Sequence, residues 1–85
     1  MRERAGERAA KYLETASRSL RILKKKKSET PVPPSLSDHV LELARGYTRD
    51  AQHYVDNRKP VTALACIAYA EGLLDALKFL ELAEF

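Results

Sequence analysis

Four prolines set the outline of this chain. Pro31, Pro33 and Pro34 lie within Ser28-Glu-Thr-Pro-Val-Pro-Pro-Ser35, and Pro60 follows Asn57-Arg58-Lys59. Proline has no amide to donate and pushes the residue before it out of the helical region, so the first group breaks a helix, while Pro60 suits the first position of one. The 85 residues are thereby divided into three segments of helical length. Each can be tested for a helical period.

On a wheel of about 100° per residue, Ala5, Ala9, Tyr12, Leu13, Ala16, Leu20 and Leu23 share one side, with Arg4, Arg8, Lys11, Arg18 and Lys25 opposite. Glu7 with Lys11 and Glu14 with Arg18 add i, i+4 pairs. This predicts a first helix over residues 4–26, followed by a linker over 28–35. A second helix over 37–57 carries Val40, Ala44, Tyr47, Ala51 and Tyr54 as a core stripe. Its expected N-cap is Ser37, with Ser35 as a competing register, and Leu36 and Leu41 form a hydrophobic staple. Asn57 is expected to take the left-handed turn that ends it, and Pro60 suits the first position of a third helix over 60–84.

That third helix begins with Val61-Thr-Ala-Leu-Ala-Cys-Ile-Ala-Tyr-Ala70, which contains no charge in a chain with 32% charged residues. It is expected to be the most buried element. Glu71, Asp75 and Lys78 form a narrow polar stripe between two apolar faces. Ala63, Cys66, Ala70, Leu73, Leu74, Leu77 and Leu80 make the bulky one; Ala65, Gly72, Ala76 and Ala83 make a smooth groove. Glycine inside a helix costs about 1 kcal/mol relative to alanine, so Ala65, Gly72 and Ala76 are expected to give close approach to a neighbouring helix. The predicted fold is all-α: one domain over 1–85, an antiparallel three-helix bundle with a long basic N-terminal helix and a helix 2/helix 3 hairpin.

Charge is unevenly spread. Residues 1–27 hold ten Lys or Arg against three Glu, giving +7, and residues 28–85 hold five against nine Asp or Glu, giving −4. A basic arm precedes an acidic body. One cysteine, Cys66, excludes an intramolecular disulfide framework, and the charged N-terminus lacks a signal-peptide core, so a cytoplasmic protein is expected. No uninterrupted apolar stretch of membrane length stands out, and no membrane association is expected.

Catalytic equipment is scarce. Cys66 sits in an apolar stretch that raises a thiol's pKa, which suits a structural cysteine better than a nucleophile. His39 and His53 are fourteen residues apart in one helix, or about 21 Å, too far to share a metal within one chain. Gly6, Gly46 and Gly72 are isolated, so no phosphate-cradling loop can be assembled. Arg49 precedes His53 with only three residues between, which departs from the Arg-x(4 to 6)-His signature of a helical ribonuclease family. No cofactor, no metal and no enzymatic activity are expected.

Asp50-Ala-Gln-His-Tyr54, then Ala63-Leu64, then Tyr69-Ala-Glu-Gly-Leu-Leu-Asp-Ala76 carry a likeness to a known family. The chain resembles the archaeal Domain of Unknown Function family 357 from about Arg8 to Leu80. The most specific part is Tyr-Ala-x-Gly-x-Leu-Asp-Ala, matched by Tyr69, Ala70, Gly72, Leu74, Asp75 and Ala76. A turn that reads Gly-Asp in the family is replaced by Asn57-Arg58-Lys59. The resemblance implies a small helical archaeal protein with no established activity, attached in some relatives to a nucleotidyltransferase-like domain. The hairpin also resembles one tetratricopeptide unit, but a solenoid needs about three stacked repeats and no second copy is present.

Two surfaces are functional candidates. Arg4, Arg8, Lys11, Arg18, Lys24, Lys25, Lys26 and Lys27 could meet an acidic protein partner or nucleic acid; aromatic residues for base stacking are missing, so nucleic-acid binding would be non-specific and salt-sensitive. Membrane-surface binding is disfavoured because the apolar face of helix 1 is half alanine and is needed for the core. Phe79, Leu80, Leu82 and Phe85 extend past the point where a short bundle could cover them, and mark self-association to a homo-oligomer. The leading expectation is a non-enzymatic interaction or self-association module, with accessory nucleic-acid binding as the alternative.

Overall fold

The computed structural model describes residues 4–26 and 31–85. Along the chain come α1 (Ala5–Ile22), β1 (Lys24–Lys25), α2 (Pro34–Asp56), α3 (Pro60–Phe79) and β2 (Ala83–Glu84). The fold is all-α in its main elements, and each of the three helices contacts the other two. Residues early in α2 meet residues late in α3: Leu41 and Ala44 share a core cluster with Leu74 and Leu77, and Ala51 clusters with Ile67, Leu13 and Ala16. The inward positions of α1, α2 and α3 include six alanines, Ala9, Ala16, Ala44, Ala51, Ala63 and Ala70. Without bulky side chains there, helices can approach closely and meet over many short contacts.

The helix boundaries depart from the sequence expectation for identifiable reasons. The first helix stops at Ile22, four residues before the expected end at Lys26. Lys24 and Lys25 pair antiparallel with Glu84 and Ala83, and the Lys26 amide donates to the Leu82 carbonyl at 3.0 Å. Tertiary pairing of the two chain ends here overrides helix propensity. No strand was expected, because two residues cannot display a period. The second helix begins at Pro34 rather than Ser37, since a proline at the first turn loses no helical bond. Ser37 is therefore not a cap; its hydroxyl donates to the Pro34 carbonyl at 2.9 Å. Three positions of the expected linker, residues 28–30, lie outside the described residues, and its last two positions belong to α2.

Two helix ends use the same device. After α2 the left-handed residue is Arg58, with φ 58, and not Asn57, whose φ is −95. The Lys59 amide reaches back to the Tyr54 carbonyl at 2.8 Å and the Arg58 amide to the Val55 carbonyl at 3.2 Å, which is a Schellman motif. After α3 the left-handed residue is Glu81, again with φ 58; the Leu82 amide donates to the Leu77 carbonyl at 2.8 Å and the Glu81 amide to the Lys78 carbonyl at 3.0 Å. This turn stops the third helix at Phe79 instead of Glu84 and drops Leu82 onto Leu77. Neither position is a glycine; the end of the second helix was nonetheless expected to within one residue from Asn57 and Pro60, whereas nothing in the sequence marked the stop at Phe79.

Helix faces are rotated relative to part of the expectation. In α2 the buried positions are Leu41, Ala44, Thr48 and Ala51, while Val40, Tyr47 and Tyr54 are half-buried. Thr48 is tolerated there because its hydroxyl donates to the Ala44 carbonyl at 2.8 Å. In α3 the bulky side turns inward through Ala63, Ile67, Ala70, Leu74 and Leu77. Ala65, Gly72 and Ala76 are exposed, and a Cβ at Gly72 would meet nothing within 4 Å. Their expected role in packing within the chain is overturned: α1 and α2 cover one side of α3, and the groove lies on the other. By length and composition α3 is also long and apolar enough to cross a membrane, although Glu71 and Asp75 interrupt it. With Ala63, Ile67, Ala70, Leu74 and Leu77 buried it is the most buried of the three helices, as expected, yet only 28% of that stretch is buried, so one side of it stays open.

Candidate functional site

Cys66 is free and partly buried; burial, and then the negative charge of Asp50, push its thiol pKa above the ordinary range. A thiol so placed is a poor nucleophile at neutral pH. His39 and His53 are both exposed on α2. The His53 ring stands edge-on to Tyr54 at 5.4 Å, and its carbonyl accepts from the Asn57 amide side chain at 2.6 Å. Among the described residues, no three His, Cys, Asp or Glu side chains are grouped closely enough to hold a metal ion.

A hollow of about 140 Å³ lies between α1 and α3, lined by Thr15, Ala16, Ser19, Glu71, Leu74, Asp75 and Phe85. Burial, and secondarily the Asp75 carboxylate one turn away, raise the Glu71 pKa above its ordinary 4.5. An acid shifted in this direction holds its proton more tightly when folded. It therefore favours the folded state at low pH, and this contribution is lost as pH rises from about 4.5 through the folded value. Glu71→Gln should flatten that fall and leave the protein at least as stable as the native chain at neutral pH. Urea midpoints of both proteins at about pH 4 and pH 7 check this; equal slopes in the two would refute it.

The basic candidates divide. Arg4, Arg8, Lys11 and Arg18 are exposed and lie on the side of α1 opposite Ala9, Leu13 and Ala16. Arg18 pairs with Glu14 at 3.6 Å, and the Arg8 guanidinium lies 5.3 Å from the centre of the Tyr12 ring. Lys24, Lys25 and Lys26 do not continue that helical face, because they run in the extended segment. Lys25 meets Asp38 at 2.7 Å, and Lys24 stands opposite Glu84. Part of the basic run thus faces the acidic part of its own chain. Such exposed pairs stabilise by about 0 to 1 kcal/mol. Lys27 lies outside the described residues.

The apolar candidates divide more sharply. Leu82 is buried and Phe85 half-buried with the Lys78 ammonium 4.5 Å from its ring centre, so neither belongs to an exposed patch as expected. Leu82 is the residue that follows the left-handed turn into the core. Phe79 and Leu80 are 79% and 49% exposed, and they are joined by Val61 at 72%, Tyr69 at 54% and Leu36 at 55%. Sequence reasoning missed the last three. The available signal was that the apolar arc of α3 is wider than two neighbouring helices can cover. Beside Leu80, Val32, Leu36, Val40, Ala76, Leu77 and Leu82 line an apolar hollow of about 90 Å³. Tyr47 and Tyr69 extend this side of the α2/α3 pair, with ring centres 4.5 Å apart.

The stretch Tyr69 to Ala76 straddles this surface: Ala70 and Leu74 point inward, whereas Tyr69, Gly72, Asp75 and Ala76 are exposed. The family model described as protein of unknown function, DUF357, matches residues 8–83. The chain belongs to the DUF357 family. That match spans all three helices and ends within β2. Comparison with curated proteins gave no match, and comparison with solved structures gave none. The family has no described function, so DUF357 membership accounts for the chain's kinship and leaves its role to be argued from the surface.

Proposed function

We propose that this DUF357 protein is a non-enzymatic helical interaction module that engages other protein surfaces through the outward side of α3 and the adjoining edge of α2. In this reading its helices form an antiparallel bundle with a long basic N-terminal helix. The observation that carries it is the set of large exposed apolar residues along α3, Val61, Tyr69, Phe79 and Leu80, with Leu36 beside Leu80 at the far end. Single exposed apolar residues are ordinary, but a contiguous set marks an association surface. An archaeal cytoplasm is the proposed setting: the archaeal part comes from the family resemblance, and a lone free cysteine suits a reducing compartment. The test is a nuclease-treated pull-down from native cytoplasm with the native protein and a Tyr69→Ser/Phe79→Ser variant. Protein partners retained by the native chain and lost by the variant support the reading; identical captures count against it.

A second reading, accessory nucleic-acid binding or an acidic protein partner on α1, is favoured by the exposure of Arg4, Arg8 and Lys11. Replacing Arg4, Arg8 and Lys11 with Gln should weaken any RNA or DNA binding and flatten its salt dependence, because a chain that neutralises fewer phosphates releases fewer counterions. No binding by the native protein at low salt would remove the nucleic-acid form of this reading.

A further inference from the structure

We infer that the outward face of α3 pairs with the same face of a second copy, the two helices crossing antiparallel about a two-fold axis near Ala68 and Tyr69. This rests on the reading of that face as an interaction surface and names its occupant. Val61, Ala65, Ala68, Gly72, Ala76 and Phe79 repeat at helical spacing on the side opposite the core, all exposed, and the single charge within that arc is Asp75. From Val61 to Phe79 the stripe is about 27 Å long. Its large residues stand at the two ends and its small ones in the middle, with Tyr69 on the flank beside them. Backbones can therefore approach at the centre while Val61 and Phe79 close over the ends.

Charge selects the second copy and its direction. The chain enters α3 through Arg58 and Lys59, both exposed; the acid beside this face in the later half of the helix is Asp75, with Glu81 just beyond the helix end. The one cation in that half, Lys78, lies over the Phe85 ring. An antiparallel neighbour sets the cationic start of each helix beside the acidic half of the other, and the two-fold axis makes this match occur twice. It also opposes the helix dipoles. A parallel pair would set Asp75 against Asp75 and Phe79 against Phe79. The register that brings the small residues of this face together places Ala65 opposite Gly72, Val61 opposite Ala76 and Thr62 opposite Asp75. Phe79 then falls beside the partner copy's hairpin turn, where a guanidinium can sit on its ring.

The test combines sedimentation with crosslinking. The native protein should show a concentration-dependent dimer across the micromolar range, and Ala68→Glu and Phe79→Ser should each raise the dissociation constant at least about tenfold, with circular dichroism matching the native fold. In a Cys66→Ser background, Ala65→Cys chains mixed with Gly72→Cys chains should form a disulfide that neither forms alone. A monomer at every concentration overturns the pairing, while the pull-down above still decides separately whether the face binds another protein. A dimer indifferent to Ala68→Glu, or Ala65→Cys chains linking to one another, overturns the surface or the direction. A monomer that floats with phosphatidylcholine vesicles overturns it in favour of a membrane-contact face.

Discussion

Leu74→Ala should lower the unfolding free energy by about 2 to 5 kcal/mol, whereas Gly72→Ala, two residues earlier on the same helix, should raise it by about 1 kcal/mol. Leu74 is one of the two largest fully buried side chains and packs in the cluster with Leu41, Ala44 and Leu77. Its cluster neighbours Ala44 and Ala83 have no side-chain rotamers with which to fill the space, so much of the hole left by truncation should persist. Gly72 faces solvent and a new methyl meets nothing, so only the helix-propensity gain remains. A small domain is stable by about 5 to 15 kcal/mol, and the Leu74 loss would consume a large part of that. Urea unfolding of the three proteins decides the matter: a destabilised Gly72→Ala, or an unchanged Leu74→Ala, would mean that the inward and outward faces of α3 are assigned the wrong way round.

How far this was legible in the sequence follows from what each signal encodes. Helix positions were readable because the amphipathic period of residues 4–23, the break at Pro31, Pro33 and Pro34 and the start at Pro60 are local properties. The bulky side of α3 did turn inward at Ala63, Ala70, Leu74 and Leu77. What hydropathy cannot encode is how many neighbours a helix has. An arc that includes Ala65, Gly72 and Ala76 reads the same whether it meets a helix of its own chain or none. The ends of α1 and α3 were illegible for a different reason. Glu81, like Arg58, adopts left-handed backbone that glycine normally signals, and the two-residue pairing of Lys24–Lys25 with Ala83–Glu84 is decided by tertiary contact alone. That pairing redirected the basic run away from the helical face on which the sequence had placed it. The same end pairing explains why Leu82 and Phe85 were misassigned to the exposed patch.

Leu82→Ala should destabilise the protein by about 2 to 5 kcal/mol, while Phe79→Ala, three residues earlier, should change folding stability by no more than about 0.5 kcal/mol. The Glu81 turn sends the chain back so that the Leu82 side chain enters the cluster of Leu41, Leu74 and Leu77 and its carbonyl receives the Lys26 amide at 3.0 Å. Leu20 and Leu23, at the end of α1, pack against the same cluster. Removing Leu82 therefore weakens both the core and the seam that ties the end of α1 to the end of α3. Phe79 makes no such contribution, being 79% exposed, so its burial must come from another surface if it comes at all. The two substitutions separate folding from association: Leu82→Ala should shift the denaturation midpoint at every protein concentration, and Phe79→Ala should act only where the native protein is dimeric. A large loss of monomer stability on Phe79→Ala would place that ring inside the fold and remove it from the paired face.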